Sequence, residues 1–234
     1  MKGIVRNKKE VATGTLLVSF EVIEPFTFKP GQYCFVTLIN PPYPDDRGNR
    51  RHFSIVNSPN EKGTITITTR LSESGFKRGL RELKIGDQTQ LGPIAGAFVL
   101  PDDTSIPLVL IAGGIGITPF MSILKFVAEE RLPYQITLIY SNRDQSSTTF
   151  YDELQLLSTQ LPNFQLVLTM TEDPNWTGEK RRVDTTFIKE YFPNVNAQKY
   201  MVVGPPGMVS AVQNALLEAG VTPDNINVEN FTGY

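Results

Sequence analysis

The 234-residue chain has one cysteine and one histidine. Cys34 and His52 cannot between them build an internal disulfide, a thiolate-held iron–sulfur cluster or a Cys/His zinc site, so no metal site is expected. Redox work would therefore need a borrowed organic cofactor. An excess of one charge is also missing. With 22 Lys and Arg against 24 Asp and Glu, the net charge of -2 lacks the basic surplus of a general nucleic-acid binder. No apolar run approaches the roughly 18 residues of a membrane span, and MKGIVRNKKEVATGTLL has no continuous apolar core or small-residue cleavage site. The expectation is a soluble, cytoplasmic monomer with neither nucleic acid nor membrane as partner.

Cys34 lies in YCFVTL, where Cys34, Val36 and Leu38 share one strand face, which makes it a buried structural side chain. His52 has no Ser-His-Asp pattern around it to make it a general base.

Two periods divide the chain. Up to about residue 100, Leu16, Val18, Phe20 and Val22 alternate with Leu17, Ser19 and Glu21, and Ile65 and Ile67 alternate with Thr64, Thr66 and Thr68. Such spacing predicts half-buried antiparallel strands, and turn clusters such as EPFTFKPGQ, NPPYPDDRGN and NSPNEKG between them suggest a small barrel. FKRGLREL is the one helix expected there. Beyond Pro101, PLVLIA, QITLIY, FQLVLTM and KYMVVG read as buried strands, while 119–130, 149–160 and 206–219 carry helical spacing. Gly220 is expected to stop the last helix. The expected organisation is an antiparallel β-barrel at 1–101, followed by an α/β parallel-sheet domain at 102–234 with ligands at the carboxyl ends of its strands.

One such end is LIAGGIGITPF, residues 110–120. Glycines 113, 114 and 116 follow a strand and precede a helix whose first turn holds Pro119. The free N–H groups of a helix start, beside residues without Cβ, suit a diphosphate or similar anion. The spacing is neither GxGxxG nor a P-loop, because Pro119 stands where the third Rossmann glycine would. An anion site and a tight packing turn both remain open on this stretch alone.

RHFS at 51–54, ESGFKRGL after ITITTRL, GGIGITP, VVGPPGMV and a final VENFTGY together resemble the ferredoxin-NADP reductase superfamily. Its members join an FAD-binding barrel to an NAD(P)-binding α/β domain. The resemblance implies that Arg51 meets the FAD pyrophosphate, with His52 beside it. Phe53, in place of the usual tyrosine, would lie along the flavin, and Ser54 would point at its N5. It further implies that Ser74, Gly75, Phe76 and Lys77 form a second pyrophosphate loop, with Thr68 and Arg70 flanking the ribityl and phosphate groups. Lys77, Arg78 and Arg81, with Lys62, are either a solvated face or a patch that steers an acidic partner.

By the same resemblance Gly113, Gly114 and Gly116 bind the diphosphate of NADPH or NADH, with Thr118 reaching toward its nicotinamide half and Pro119 beside them in the cofactor site. Ser141, Asn142 and Arg143 lie at its adenine ribose, and Gly204, Pro205 and Pro206 face the nicotinamide, with Val203 where a cysteine usually stands. Arg143 could meet a 2′-phosphate, which tilts the expectation to NADPH, while Asp144 argues against it. Glu229 would move protons near the flavin, Phe231 would stack on it, and Tyr234 would reach the FAD adenine. Ser54, Glu229 and Phe231 are thus the expected catalytic residues. The implied activity passes hydride from the nicotinamide to FAD and electrons to a separate acceptor, ferredoxin or flavodoxin, since no globin, cysteine-rich ferredoxin or FMN segment is discernible. Alternatives are the reductase component of an oxygenase, a flavin or ferric reductase, or a nucleotide-sensing or electron-transfer subunit without turnover.

Overall fold

The computed structural model describes residues 1–232. Its contacts form two compact units, one of residues 1–100 with 118–126 and one of 101–117 with 127 onward.

The first unit contains β1 (Lys2–Ala12), β2 (Thr15–Val22), β3 (Tyr33–Leu38), β4 (Arg50–Ser54), β5 (Thr64–Arg70), α1 (Gly75–Glu82) and β6 (Gln88–Ala95). The strands form one antiparallel sheet in the order β4-β3-β6-β1-β2-β5. The segment after β4 closes it against β5 through an Ile55–Ile67 bridge and a bond from the Val56 N–H to the Thr66 carbonyl, 2.9 Å. Closure leaves fewer bare strand edges. Val5, Val18, Phe20, Cys34, Val36, Ile65 and Ile67 fill the interior, and burial pushes the Cys34 thiol up to about 11, as befits an inert core side chain. The expectation of half-buried strands fails for β5, where Thr66, Thr68 and Thr69 are buried too. Part of the reason is that threonine can be buried when its hydroxyl finds a partner: Thr66 Oγ1 lies 2.9 Å from Ser19 Oγ.

The second unit contains β7 (Leu108–Gly113), β8 (Ile136–Asn142), α3 (Tyr151–Gln160), β9 (Phe164–Met170), α4 (Thr185–Tyr191), β10 (Lys199–Gly204), α5 (Pro206–Ala219) and β11 (Ile226–Asn230); α2 (Ile117–Glu130), whose residues 118–126 group with the first unit, follows β7 through a 3₁₀ turn at Gly114–Gly116. Its parallel sheet runs β11-β10-β7-β8-β9. β7 is buried along its whole length because it is central. Gly220, with φ of 99°, ends α5. α3 starts at Tyr151, two residues later than its spacing suggests, because Phe150 takes a left-handed φ of 63°. No helix among the described residues is long and apolar enough to cross a membrane.

Candidate functional site

β4 and α1 build the first cluster. Ser74 caps α1, its hydroxyl accepting from the Lys77 N–H at 3.3 Å. Phe76 turns its ring toward Phe53 of β4, centroids 5.8 Å apart, and the Arg51 guanidinium lies 5.3 Å from the Phe76 centroid. Arg51 donates to Asp45, and its Nη1 is 2.7 Å from the Arg47 carbonyl and 2.9 Å from that of Gly48. The Phe76 N–H at the start of α1 donates to Asp45 Oδ2 at 2.9 Å. That bond, more than the nearby cations, holds the Asp45 carboxyl below the usual range. Burial pushes the Lys77 ammonium down to about 8, and Arg47 and Arg51 add repulsion. Three cations and one carboxylate thus gather around a helix start, a net positive cluster in which a carboxylate already sits.

The other predicted residues of this unit are arranged less uniformly. Ser54 is buried at the end of β4, and the Thr68 hydroxyl is buried with no hydrogen-bond partner among the described residues. Arg70 reaches from the end of β5 to the Thr13 carbonyl, 3.0 Å, in the β1–β2 turn. The His52 ring packs outward against Tyr33 and Phe35, at 5.1 and 5.7 Å.

The second cluster sits where the strand order reverses. The chain moves from β7 to β8 and β9 on one side, then returns to place β10 on the other, which puts a switch point at the carboxyl ends of β7 and β10, the place where parallel sheets take ligands. Gly113, Gly114 and Gly116 stand there with different jobs. A Cβ on Gly116 would lie 2.4 Å from the Val203 carbonyl oxygen, and one on Gly113 would lie 2.0 Å from Met208 Sδ. Both let the turn pack against β10 and α5. Gly114 has φ of 53°, and a Cβ there would meet nothing within 4 Å. Of the three, it alone leaves backbone open to a visitor. Gly204 brings β10 close to β7, since a Cβ on it would be 3.3 Å from the Gly113 backbone, and Pro205 and Pro206 lead exposed into α5. Thr118 and Pro119 are buried in the first turn of α2.

At the end of β8 the Asn142 side chain is buried, and neither its nitrogen nor its oxygen has a hydrogen-bond partner among the described residues. Ser141 is half-buried beside it, and Arg143 is exposed. Asp144 turns back on its own loop, accepting from the Ser146 hydroxyl at 2.7 Å and the Ser147 N–H at 2.8 Å. On β11, Glu229 pairs with Val203, and the Phe231 N–H donates to the Gly204 carbonyl at 2.9 Å. Burial raises the Glu229 carboxyl to about 7, and its Oε2 has no partner among the described residues. Tyr234 lies outside the described residues.

Two residues that shape these clusters escape the sequence reading. Tyr140, one apolar position among many in QITLIY, is fully buried, and its hydroxyl donates to the Gly114 carbonyl at 3.0 Å, fixing the glycine turn. Asp45 looks like an ordinary turn residue in NPPYPDDRGN, and nothing local shows that it reaches α1.

The family description "Oxidoreductase NAD-binding domain" matches residues 110–214. The gamma subunit of sulfhydrogenase 1 from Pyrococcus furiosus is 32% identical over 212 residues, 89% of this chain and 70% of that protein. The reductase component DmpP of phenol 2-monooxygenase from a Pseudomonas species is 26% identical, over 98% of this chain and 65% of its own length. A similar component of terephthalate 1,2-dioxygenase from a Comamonas species is 28% identical and is spanned over 59% of its length. The chain thus covers some three-fifths to seven-tenths of these relatives. In fold it is similar to a ferredoxin NADP+ reductase from Neisseria gonorrhoeae solved with bound FAD and NADP, with a TM-score of 0.83 and 22% identity over 98% of both chains.

Proposed function

Because this chain belongs to the ferredoxin-NADP reductase superfamily, we propose that it is a flavin-dependent oxidoreductase that draws electrons from NADPH or NADH and passes them to a separate redox protein. The observation that supports this reading is, in each unit, a place suited to an anion: Arg51, Lys77 and the Phe76 N–H, which already holds a carboxylate, in the barrel unit, and the open Gly114 turn in the parallel-sheet unit. FAD suits the first. A diphosphate would meet a surplus of fixed positive charge and a helix N–H that already binds a carboxylate.

Bound FAD would supply hydride acceptance and single-electron release, which none of these side chains can perform. The chain's own residues position and protect. Arg51 and the 74–77 turn would grip the pyrophosphate, Phe53 and Ser54 the ring system, and Thr68 and Arg70 the ribityl side. Gly114, held by Tyr140, would admit the nicotinamide dinucleotide diphosphate, with Gly204, Pro205 and Pro206 at its reactive end. The buried, unsatisfied Asn142 amide is suited to hydrogen-bond the adenosine part, together with Ser141. Glu229 would hold a proton on its carboxyl near neutral pH and release it above, as a general acid requires, and Phe231 would shield the ring from water. Preference for NADPH rests on exposed Arg143. Asp144 is committed to its own loop by Ser146 and Ser147.

For the electron acceptor we favour a small protein such as ferredoxin or flavodoxin. The relatives named as oxygenase reductase components support a second reading, in which the acceptor is the oxygenase itself. Anaerobic titration of the purified protein with NADPH and NADH tests the core of the proposal. A yellow protein that bleaches is expected, whereas one that binds no FAD and does not bleach overturns it.

A further inference from the structure

The segment at residues 41–49 between β3 and β4 is fastened onto α1 at several points. The Tyr43 hydroxyl donates to Glu82, and the Arg78 guanidinium lies 4.0 Å above the Tyr43 ring. The Pro44 carbonyl oxygen fills the space that Gly75 leaves, since a Cβ on Gly75 would lie 2.1 Å from it. Asp45 then places one carboxylate oxygen on the Phe76 N–H and the other on Arg51 and on the Arg47 N–H, with its side chain only 8% exposed. An N–H has one hydrogen to give, and two anions at one cradle repel each other.

We propose that Asp45, carried on this strap, is an internal competitor for the flavin pyrophosphate, so that the chain takes up FAD only by displacing its own carboxylate and holds the flavin exchangeably. The inference rests on the reading of the α1 cradle as the pyrophosphate site. Asp45 mimics one phosphate oxygen pair, and the Pro44 carbonyl occupies the approach that a glycine at a helix start opens. The adjacent Asp46 is exposed. It carries the same charge without the cradle contacts, which makes it the natural control.

FAD dissociation constants, read from flavin fluorescence quenching on flavin-free protein, are to be compared for the wild type, Asp45→Asn and Asp46→Asn. Asp45→Asn is expected to bind FAD about tenfold more tightly, as loss of one charge-assisted contact implies, and Asp46→Asn to remain within about twofold of wild type. In the wild type, FAD should raise amide hydrogen exchange across residues 41–49, reporting release of the strap. Equal or weaker FAD binding by Asp45→Asn, equal tightening by Asp46→Asn, or an unchanged exchange pattern overturns the competitor role while leaving flavin binding intact. Failure of all three proteins to bind FAD removes the flavin reading itself, and this inference with it.

Discussion

Replacing Gly116 and Gly114 separately should split packing from recognition within a single turn. An alanine Cβ at 116 would stand 2.4 Å from the Val203 carbonyl oxygen, 2.8 Å from its carbon and 3.0 Å from the Gly204 Cα. Relief to an ordinary contact of about 3.5 Å requires a shift of roughly 1 Å. The atoms that must yield are backbone of β10, which is paired on both sides: Val203 lies opposite Ala112 of β7 and Glu229 of β11. Overpacking of this kind costs about 1–3 kcal/mol. At about 2–4 °C per kcal/mol for a chain of this size, a cost near 2 kcal/mol lowers the melting temperature by roughly 4–8 °C. Asparagine at 114 differs on every count. Its side chain tolerates the left-handed φ of 53° and enters open space, so stability should change by no more than about 1 kcal/mol. The same side chain covers the backbone that an anion would approach, and the dissociation constant for NADPH should rise at least about tenfold, the loss of one hydrogen bond to a charged group. Calorimetric melting and nucleotide titration of both variants decide the matter. A wild-type melting temperature for Gly116→Ala refutes the packing argument, and unchanged NADPH affinity for Gly114→Asn refutes the phosphate role of the turn.

Arg51→Ala should weaken FAD binding about ten- to a hundredfold, because a charged donor to the pyrophosphate is lost; full flavin retention after dilution would strip Arg51 of that role. Lys77, depressed to about 8, is fully charged only below that pH, so above it diphosphate binding at the proposed cradle would have to take up a proton. FAD affinity should therefore fall as pH rises through 8, and Lys77→Gln should flatten the decline; parallel pH profiles would count against it. Glu229 has a folded-state value near 7 against an ordinary 4.5, so the folded state binds the extra proton, and this carboxyl's contribution to stability decreases as pH rises from about 4.5 to 7. Glu229→Gln should gain in melting temperature on the wild type across that window, and a constant difference between the two would contradict a buried carboxyl.

Much of the architecture could be read from residue order, because alternation and helical spacing are local consequences of burial. The four apolar runs became β7 to β10, and FKRGLREL became most of α1. β11 was read only as a motif-bearing tail, since INVEN offers two apolar residues and owes its strand to pairing with β10. α4 has a usable signal, as Asp184 caps it by accepting from the Phe187 N–H at 2.8 Å, but seven residues are too few to show a period. The glycines of the turn were visible as a group. Their division of labour was not, because it depends on Val203 and Met208, about ninety residues further along the chain. Asp45 and Tyr140 act through contacts that no local pattern encodes, and composition hides them as a turn residue and a core residue.

The reversal of strand order beside β7 also sets when the site proposed for the nucleotide can exist during folding. The β7–β8 and β8–β9 pairs join successive strands, whereas β10 must find β7 across everything between Gly113 and Lys199. Loop closure grows costlier with length, if slowly, and distant pairings form late when nearer ones are available. A partly folded sheet of β7, β8 and β9 would have its glycine turn but no opposite wall of Val203 and Gly204. Capture of NADPH should accordingly lag behind recovery of secondary structure in stopped-flow refolding, and nucleotide added at the start should raise the final yield by mass action without hastening the early phase.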